Sequence, residues 1–311
     1  MTPRVLITGG TGLLGKALLE TVPEGVRAFA THHRLEPPER WRGQFRPLDV
    51  RQAQAVDALF SEVKPDGVIH TASIGGVDEA EKNPEAVRAV NAQGTQAILR
   101  ACQKVGATLL FISSNAVFDG SDPPYREDSP LRAVNRYGQI KIEAERLVVL
   151  SGVPHLIVRP ILMYGWPWKG GRENAVTRWL KSLEKGESVE VAEDIVSMPL
   201  WVGDCARAIW RGLLEHRGGV VHLAGRDRVN LVRFAQEVCR VFSHDERRII
   251  PISSQRWLHL APRPRDTSFE IARMRWEFEI EPVGIREGLT LMREARVSVE
   301  VGPAAVSGQG L

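Results

Sequence analysis

Short apolar runs alternate with longer amphipathic stretches along the first half of the chain, and this alternation constrains the fold more than any other feature. The apolar runs cover residues 5–8, 26–30, 67–70, 108–112 and 156–158, and the amphipathic stretches cover residues 16–22, 53–63, 84–105 and 134–151. Parallel strands are joined by crossover connections that are usually helices, which then cover both faces of the sheet. The sequence therefore predicts an α/β fold built on a doubly wound parallel sheet.

A glycine-rich turn, "GGTGLLG", joins the first apolar run to the first amphipathic stretch. Gly9, Gly12 and Gly15 allow a tight turn, close approach of a pyrophosphate and close packing of the helix on the strand. The backbone N–H groups offered to the phosphates belong to Thr11, Leu13 and Leu14. Because the turn follows the first strand of an α/β chain, it predicts a Rossmann-type domain that binds a dinucleotide. A glycine-rich turn without a ligand is the alternative.

The residues after the second apolar run predict which dinucleotide is bound. The chain reads "FATHHR" from Phe29, and no carboxylate follows until Glu36. An acidic residue here favours the free 2′-hydroxyl of NAD, whereas a basic one favours the 2′-phosphate of NADP. His32, His33 and Arg34 are the candidates, and the permanently charged guanidinium suits a phosphate best. NADP(H) is therefore expected over NAD(H), with a solvated basic loop as the alternative.

The pattern changes after about residue 160, where a loop rich in Trp, Gly and Pro leads into a less regular second half. We expect a smaller C-terminal substrate-binding lobe here. The expected division is an NADP-binding Rossmann domain over residues 1–160 joined by part of 195–242, a lobe made mainly of residues 161–295, and a loose tail over residues 296–311.

The charge and composition argue against several classes of protein. The net charge is only +3 with no Lys/Arg block, so neither nucleic acid nor a membrane is expected as a partner. Three cysteines without a CxxC pair, and histidines without metal-ligand spacing, argue against disulfides and a metal site. No apolar run reaches the length of a membrane span, and the chain begins directly with a strand pattern. A cytoplasmic protein with a small-molecule substrate is expected.

A tyrosine and a lysine in "RYGQIKIEAE" have the spacing of a proton-transfer pair. Tyr137 and Lys141 lie four residues apart in a helical stretch and share one face of it. A phenol titrates near 10, so a neighbouring positive charge is needed to lower that pKa, and Lys141 is expected to supply it. Ser113, Ser114 and Asn115 follow an apolar strand, at the edge where open α/β sheets bind ligands. A surface Tyr/Lys pair is the alternative.

These motifs together resemble those of the extended short-chain dehydrogenases/reductases. The resemblance rests on "TGGTGLLG", "PLDV", "VNAQGTQ", "ISSNAVFDG" and "YGQIK". Within that superfamily the chain is most similar to the dTDP-4-dehydrorhamnose reductase (RmlD-like) group, through "VDEAEKNP", "VRPILMYG", "VSMPLWVGDCARAI", "VVHLAG" and "RPRDTSF". The resemblance implies hydride transfer from NADPH to a keto group, most directly that of a 4-keto nucleotide sugar. It also allows a homodimer, since related proteins often dimerise.

The resemblance implies roles for individual residues. Ser114 is the catalytic hydroxyl, Tyr137 the acid, and Lys141 its partner, which also binds the nicotinamide ribose. Asn91 supports the helix beside the site. The residues implied at the cofactor are Gly9, Gly12, Gly15, Asp49, Val50, Thr71, Ala72, Ser73, Asn91, Tyr137, Lys141 and Pro160.

Two positions depart from the group's pattern. Asn115 and Ala116 stand where such reductases usually carry an aspartate and a tyrosine. Sugar 4,6-dehydratases need an acid/base pair directly after the catalytic hydroxyl, so a dehydratase is disfavoured. An NAD(P)-dependent sugar epimerase needs only the Tyr/Lys machinery and stays open, although the preference for NADP argues against it. The substrate is then another 4-keto nucleotide sugar or a smaller carbonyl compound.

A different class of function is also open. "FISSNAVFDGSDPPYRED" and the basic turn after the second strand resemble the regulatory beta subunit of methionine adenosyltransferase. That resemblance implies a protein that binds NADP and acts on a partner enzyme without turning over a substrate of its own.

Candidate substrate-binding residues lie in three places. Asn115 follows the catalytic hydroxyl, and Trp166 lies with Trp168, Lys169 and Arg172 where the lobe begins. Aromatic faces beside cations could bind a nucleotide base and its phosphates, although packing of a loop is the more common role. Either Arg263 or Arg265, in "RPRDTSF", could bind a diphosphate in a bidentate manner. We take Asn115, Trp166 and Arg265 as the substrate-binding candidates.

Overall fold

The computed structural model describes residues 2–257 and 260–301. The strands are β1 Arg4–Thr8, β2 Arg27–His32, β3 Phe45–Pro47, β4 Gly67–His70, β5 Thr108–Ile112, β6 His155–Pro160, β7 Met163–Tyr164, β8 Val189–Ala192, β9 Val196–Ser197, β10 Leu200–Trp201, β11 Gly219–Leu223, β12 Val229–Asn230 and β13 Ile249–Ile252. The α-helices are α1 Leu13–Glu20, α2 Ala53–Val63, α3 Val77–Lys82, α4 Pro84–Arg88, α5 Gly94–Val105, α6 Arg136–Leu150, α7 Ala175–Glu184, α8 Val202–Leu214, α9 Leu231–Phe242, α10 Ala272–Trp276 and α11 Ile285–Val301.

The central feature is a seven-stranded sheet in the order β11-β6-β5-β4-β1-β2-β3, in which every neighbouring pair is parallel. Side chains alternate across it: Val5 and Ile7 of β1 join one apolar cluster, and Leu6 joins the cluster on the other face. The α/β, doubly wound fold expected from the sequence is thus confirmed. β1 and β4 are neighbours whose onward connections run in opposite directions, which makes their carboxyl ends the topological switch point where such sheets bind ligands.

One stretch read from the sequence as a single helix is interrupted. Residues 84–105 form α4, a π-helical turn over Ala89–Gln93, and α5. A π-turn inserts an extra residue into the helix and often marks a functional position. Asn91 lies in this turn and is buried. Periodicity alone missed the interruption because the apolar pattern continues through it.

Part of the second half of the chain returns to the sheet. β11 is an edge strand beside β6, and α8 packs on α1, where Trp210 donates its indole N–H to the carbonyl oxygen of Leu18 at 3.1 Å. These elements lie within residues 195–242, the segment expected to join the Rossmann domain. α9 lies within the same segment, but its buried side chains, including Phe234, belong to the separate apolar cluster described next.

Several other elements of the second half form a smaller apolar cluster of their own. Tyr164, Phe234 and Leu289 are buried in it, together with side chains of α7, α9 and α11. α11 continues to Val301, into the segment expected to be loose from residue 296. Residues 302–311 of that segment lie outside the described residues. Over the part of the chain that the structure describes, no helix is both long and apolar enough to cross a bilayer.

Candidate active site

In the glycine-rich turn between β1 and α1, the backbone packs directly on the backbone of the loop that follows β4. Gly9 has φ +71°, and a Cβ atom there would lie 2.7 Å from the backbone nitrogen of Ala72. A Cβ atom at Gly15 would lie 2.5 Å from the carbonyl oxygen of Gly9, so this glycine lets α1 start directly against the turn. α1 begins after Gly12 with no side-chain cap. Its first N–H groups, among them those of Leu13 and Leu14, are therefore available to an anion, as a pyrophosphate requires.

The loop after β4 lies beside this turn. Thr71 donates its hydroxyl to the carbonyl oxygen of Thr8 at 2.7 Å, and the N–H of Ala72 donates to the Thr8 hydroxyl at 3.3 Å. Asn91, from the π-turn, holds the same loop through Ile74: its Oδ1 accepts from the N–H of Ile74 and its Nδ2 donates to the carbonyl oxygen. Asn91 thus supports the loop that carries Thr71, Ala72 and Ser73.

Basic side chains follow β2 at its carboxyl end, and the carboxylate nearest to them is already paired. Asp49, the nearby carboxylate after β3, is bound by Arg51 through two nitrogens, Nε at 2.9 Å and Nη2 at 2.6 Å. These hydrogen bonds lower the pKa of Asp49 to about 2, so the carboxylate is fully ionised and already paired. His33 lies 3.6 Å from the same carboxylate, and Arg34 is exposed, with no hydrogen bond or ion pair to any residue that the structure describes.

The carboxylate of Asp49 is therefore already engaged by Arg51 and is not free to accept a hydrogen bond from a ribose hydroxyl. The sequence reading missed Arg51, although the residue directly follows "PLDV". Val50 is buried and packs on Gly94, where a Cβ atom would lie 2.7 Å from Val50 Cγ2.

Helix α6 places Tyr137 beside Ser114. Asn135 caps the helix by accepting the N–H of Gly138 at 2.9 Å. A Cβ atom at Gly138 would overlap the carbonyl oxygen of Ala116, so α6 packs backbone to backbone on the segment after β5. The Tyr137 hydroxyl, in consequence, lies near enough to the hydroxyls of Ser114 and Ser73 for both to act on its pKa. Three residues from separate loops and one helix thus form a single hydroxyl cluster at the carboxyl edge of the sheet.

The ionisation of Tyr137 is governed mainly by its burial. Burial raises the pKa of the phenol, and the positive charge of Arg172 and the nearby hydroxyls of Ser114 and Ser73 oppose that rise. The YxxxK spacing predicts Lys141 as the cation that lowers this pKa, whereas the cation that does so in the structure is Arg172. Lys141 Nζ lies 5.9 Å from the centroid of the Tyr137 ring and donates to the carbonyl oxygen of Ile112 at 2.8 Å.

Lys141 is itself strongly perturbed. Burial lowers its pKa to about 8, and the negative charge of Glu145, one turn further along α6, acts in the opposite direction. Glu145 is held by Arg159 at 2.9 and 2.7 Å and accepts the Ser113 hydroxyl. This buried network ties α6 to the ends of β5 and β6. The sequence reading missed Glu145, whose signal was its place four residues after Lys141.

The structure brings some of the expected substrate-binding residues to the hydroxyl cluster and leaves others away from it. Asn115 lies at the cluster: its Oδ1 accepts the Ser114 hydroxyl at 3.3 Å, and its Nδ2 donates to Thr267 at 2.6 Å. "RPRDTSF" is thereby brought to the site, where Arg263 pairs with Asp78 at 2.7 Å and Arg265 is exposed.

Trp166 is not brought to the hydroxyl cluster. Its indole N–H donates to the carbonyl oxygen of Met292 at 2.6 Å, and its ring packs against Phe242 in the apolar cluster of the second lobe. Trp168 lies at the dinucleotide turn, because its indole N–H donates to the carbonyl oxygen of Gly10 at 3.2 Å. Pro160 is the last residue of β6 and is buried at the carboxyl edge of the sheet.

Comparison with known sequences assigns this architecture to a family. Residues 3–297 match the family described as RmlD substrate binding domain. The chain is 32% identical over 274 residues to a dTDP-4-dehydrorhamnose reductase of Streptomyces griseus, covering 85% of this chain and 84% of the relative. It is 30% identical over 300 residues to the methionine adenosyltransferase 2 subunit beta of Xenopus tropicalis, covering 92% of this chain and 87% of the relative.

Solved structures agree with this assignment. A dTDP-4-dehydrorhamnose reductase of Bacillus anthracis str. Ames, in complex with NADP, superposes with a TM-score of 0.84 at 26% identity, over 95% of this chain and 100% of that one. The UDP-glucose 4-epimerase of Thermus thermophilus, in complex with NAD, has a TM-score of 0.81 at 21% identity, over 95% of this chain and 99% of that one. At that identity the second likeness concerns the fold alone.

Proposed function

The chain belongs to the RmlD substrate binding domain family, a group of extended short-chain dehydrogenases/reductases that are NAD(P)-dependent oxidoreductases, and on this premise we propose that it reduces the keto group of a 4-keto nucleotide sugar with NADPH. The observation that carries the proposal is the hydroxyl cluster of Tyr137, Ser114 and Ser73 at the switch point, directly beside the glycine-rich turn.

Tyr137 is suited to act as the acid of this reaction. NADPH, when bound, supplies the hydride; the protein supplies the proton and the placement of both partners. Burial raises the pKa of Tyr137, so the phenol is protonated at neutral pH and can donate to the alkoxide that forms on the keto oxygen. Ser114 hydrogen-bonds the same oxygen and stabilises its developing charge. Lys141, buried beneath the tyrosine ring, binds the nicotinamide ribose.

Two groups of residues bind the dinucleotide, one at its pyrophosphate and one at its 2′-phosphate. The turn at Gly9 and the uncapped start of α1 bind the pyrophosphate. His33 and Arg34 bind the 2′-phosphate, because Asp49 is already neutralised by Arg51 and offers no free carboxylate to a ribose hydroxyl. This arrangement supports NADP(H) over NAD(H).

Two related activities are less well supported. A dehydratase needs an acid/base pair where Asn115 and Ala116 stand, and Asn115 is already engaged with Thr267. An epimerase could use the same tyrosine, but the basic corner at His33 and Arg34 favours a phosphorylated cofactor. The similarity to methionine adenosyltransferase 2 subunit beta supports a second candidate function, in which the chain binds NADP and regulates a partner enzyme.

The test begins with fluorescence titrations of the purified protein with NADPH and NADH. Absorbance decay at saturating NADPH is then followed with dTDP-4-dehydrorhamnose, other 4-keto nucleotide sugars and simple carbonyls. Turnover that falls by about 10²- to 10⁴-fold in Tyr137→Phe, with NADPH affinity unchanged, is the expected result. Tight NADPH binding without turnover on any of these compounds favours the regulatory subunit. Failure to bind either cofactor contradicts both functions.

A further inference from the structure

A buried histidine at the end of β4 connects two elements on either side of it. His70 is the last residue of β4, and its side chain is buried. Its Nδ1 lies 2.7 Å from the hydroxyl oxygen of Thr8, the last residue of β1, and its Nε2 lies 3.1 Å from the hydroxyl oxygen of Thr95 in α5. The imidazole therefore joins β1 to α5 through hydrogen bonds at both of its nitrogens.

The partners of the two hydroxyls decide where the imidazole proton lies. Thr95 donates its hydroxyl to the carbonyl oxygen of Asn91 at 2.7 Å, and a carbonyl oxygen can only accept. Because the one hydroxyl proton of Thr95 is used in this bond, His70 must donate to Thr95 from Nε2. Nδ1 then accepts the hydroxyl of Thr8, whose oxygen accepts the N–H of Ala72 at 3.3 Å. The hydrogen bonds thus specify the tautomer with its proton on Nε2.

Burial keeps this imidazole neutral. It lowers the pKa of His70 to about 3, and the positive charge of Lys141 acts in the same direction. The ring of Phe111 lies near both side chains, with its centroid 6.1 Å from that of the imidazole and 5.2 Å from Lys141 Nζ. A neutral ring donates at one nitrogen and accepts at the other, which is what the two threonines require.

Asn91, in the π-turn, is tied to the loop after β4 at two places. Its side-chain amide binds the backbone of Ile74 directly. Its carbonyl oxygen begins the chain of hydrogen bonds that runs through the imidazole and ends at the N–H of Ala72. Ala72 and Ile74 are the two neighbours of Ser73, whose hydroxyl acts on the pKa of Tyr137. The backbone on both sides of Ser73 is therefore connected to the π-turn.

We propose that His70 is a positioning residue of the dinucleotide site, which holds the loop after β4 in place through Thr8 and Thr95. The inference rests on the proposed function, in which residues 71–73 of this loop bind the cofactor. Both ring nitrogens are engaged within the fold, so His70 acts through these hydrogen bonds and transfers no proton.

The test changes the chain of hydrogen bonds at Thr95, the end that is remote from the loop. Thr95→Val keeps the shape of the buried side chain and removes its hydroxyl, whereas Thr95→Ser keeps the hydroxyl and removes a methyl group. Ile98→Val is the matched control, because it removes a methylene from a buried apolar residue of the same helix. Isothermal titration with NADP⁺ measures binding, and urea denaturation measures the stability of each variant.

We expect Thr95→Val to raise the dissociation constant of NADP⁺ by roughly three- to tenfold, as loss of one hydrogen bond does. Thr95→Ser should restore the wild-type affinity, and Ile98→Val should keep it, although both variants lose stability through the group removed from the core. An effect of stability alone would instead weaken binding in proportion to the loss of free energy of unfolding in all three variants.

The imidazole supplies a second readout. In nitrogen-15 NMR spectra of protein labelled at histidine, the His70 signals are identified by their absence from His70→Gln. They should show a neutral ring with its proton on Nε2 and no titration between about pH 5 and 8. They should also shift when NADP⁺ is added, because the ring is linked to the loop that is proposed to bind it.

The proposal is overturned if Thr95→Val binds NADP⁺ as the wild type does, or if the three variants weaken binding in proportion to their loss of stability. It is equally overturned if His70 carries its proton on Nδ1 or if its signals do not respond to NADP⁺. Absence of turnover with NADP⁺ binding intact would count against the proposed reductase and leave this result standing, whereas a wild type that binds no NADP⁺ contradicts both.

Discussion

Lys141 donates a hydrogen bond from Nζ to the carbonyl oxygen of Ile112, 2.8 Å away, where β5 ends. The lysine is thereby held against the sheet, while its Nζ lies 5.9 Å from the centroid of the Tyr137 ring. The cost of placing an ammonium group there appears in its pKa, which burial lowers to about 8.

That lowered pKa makes stability depend on alkaline pH. Between pH 8 and 10.5 the unfolded chain keeps the Lys141 proton and the folded chain has lost it, so the contribution of Lys141 to the free energy of unfolding rises with pH through this window, and the difference between the wild type and Lys141→Met isolates it. The expected rise is up to about 3 kcal/mol. Urea unfolding of the cofactor-free protein across the window checks it. Lys141→Met should lack this rise, and an identical pH dependence in the two proteins contradicts the prediction.

The buried pair of Glu145 and Arg159 should matter far more to stability than an exposed pair on the same helix. Each side chain is 4% exposed, so Glu145→Gln leaves a buried guanidinium without its counter-charge and should cost about 3–5 kcal/mol. Glu143, which pairs with Arg88 at the surface, is the control, and Glu143→Gln should cost less than about 1 kcal/mol. Equal midpoints of urea denaturation for the two variants would refute the difference.

Cofactor preference should depend on Arg34. Arg34→Gln removes a charge proposed for the 2′-phosphate and should raise the dissociation constant of NADPH by roughly tenfold or more, with that of NADH unchanged. Fluorescence titration with both cofactors measures this. Arg40→Gln, which changes an exposed arginine of the following segment, should alter neither constant. If Arg34→Gln lost as much affinity for NADH as for NADPH, Arg34 would not bind the 2′-phosphate.

Two glycines with similar backbone angles should respond differently to alanine. Gly9 and Gly25 have φ of +71° and +78°, but of the two only Gly9 has backbone in the way of a Cβ atom, 2.7 Å from the nitrogen of Ala72. Gly25→Ala should therefore cost about 1–2 kcal/mol of stability and leave NADPH binding intact. Gly9→Ala should abolish NADPH binding, because the turn must move away from the loop after β4. Normal NADPH affinity in Gly9→Ala would rule out this account of the turn.

The sequence was informative where function depends on neighbours along the chain. The spacing of Gly9, Gly12 and Gly15 predicted the turn, and the four-residue separation of Tyr137 and Lys141 predicted a shared helix face. Both rest on local geometry that short stretches specify by themselves. The alternation of apolar runs predicted the parallel sheet for the same reason, although β3, only three residues long, left no recognisable pattern.

Tertiary structure alone decided which side chains meet across the site. Arg172 reaches Gly75 and its charge acts on Tyr137. Asn115 reaches Thr267, whereas Trp166 packs in the second lobe, although Trp166 and Arg172 are close in sequence. These contacts join segments far apart in the chain and depend on how the lobe packs on the sheet, which no local spacing encodes. For that reason the sequence predicts that Lys141, the helix neighbour, lowers the pKa of Tyr137, whereas in the structure the positive charge that opposes the rise in this pKa is that of Arg172.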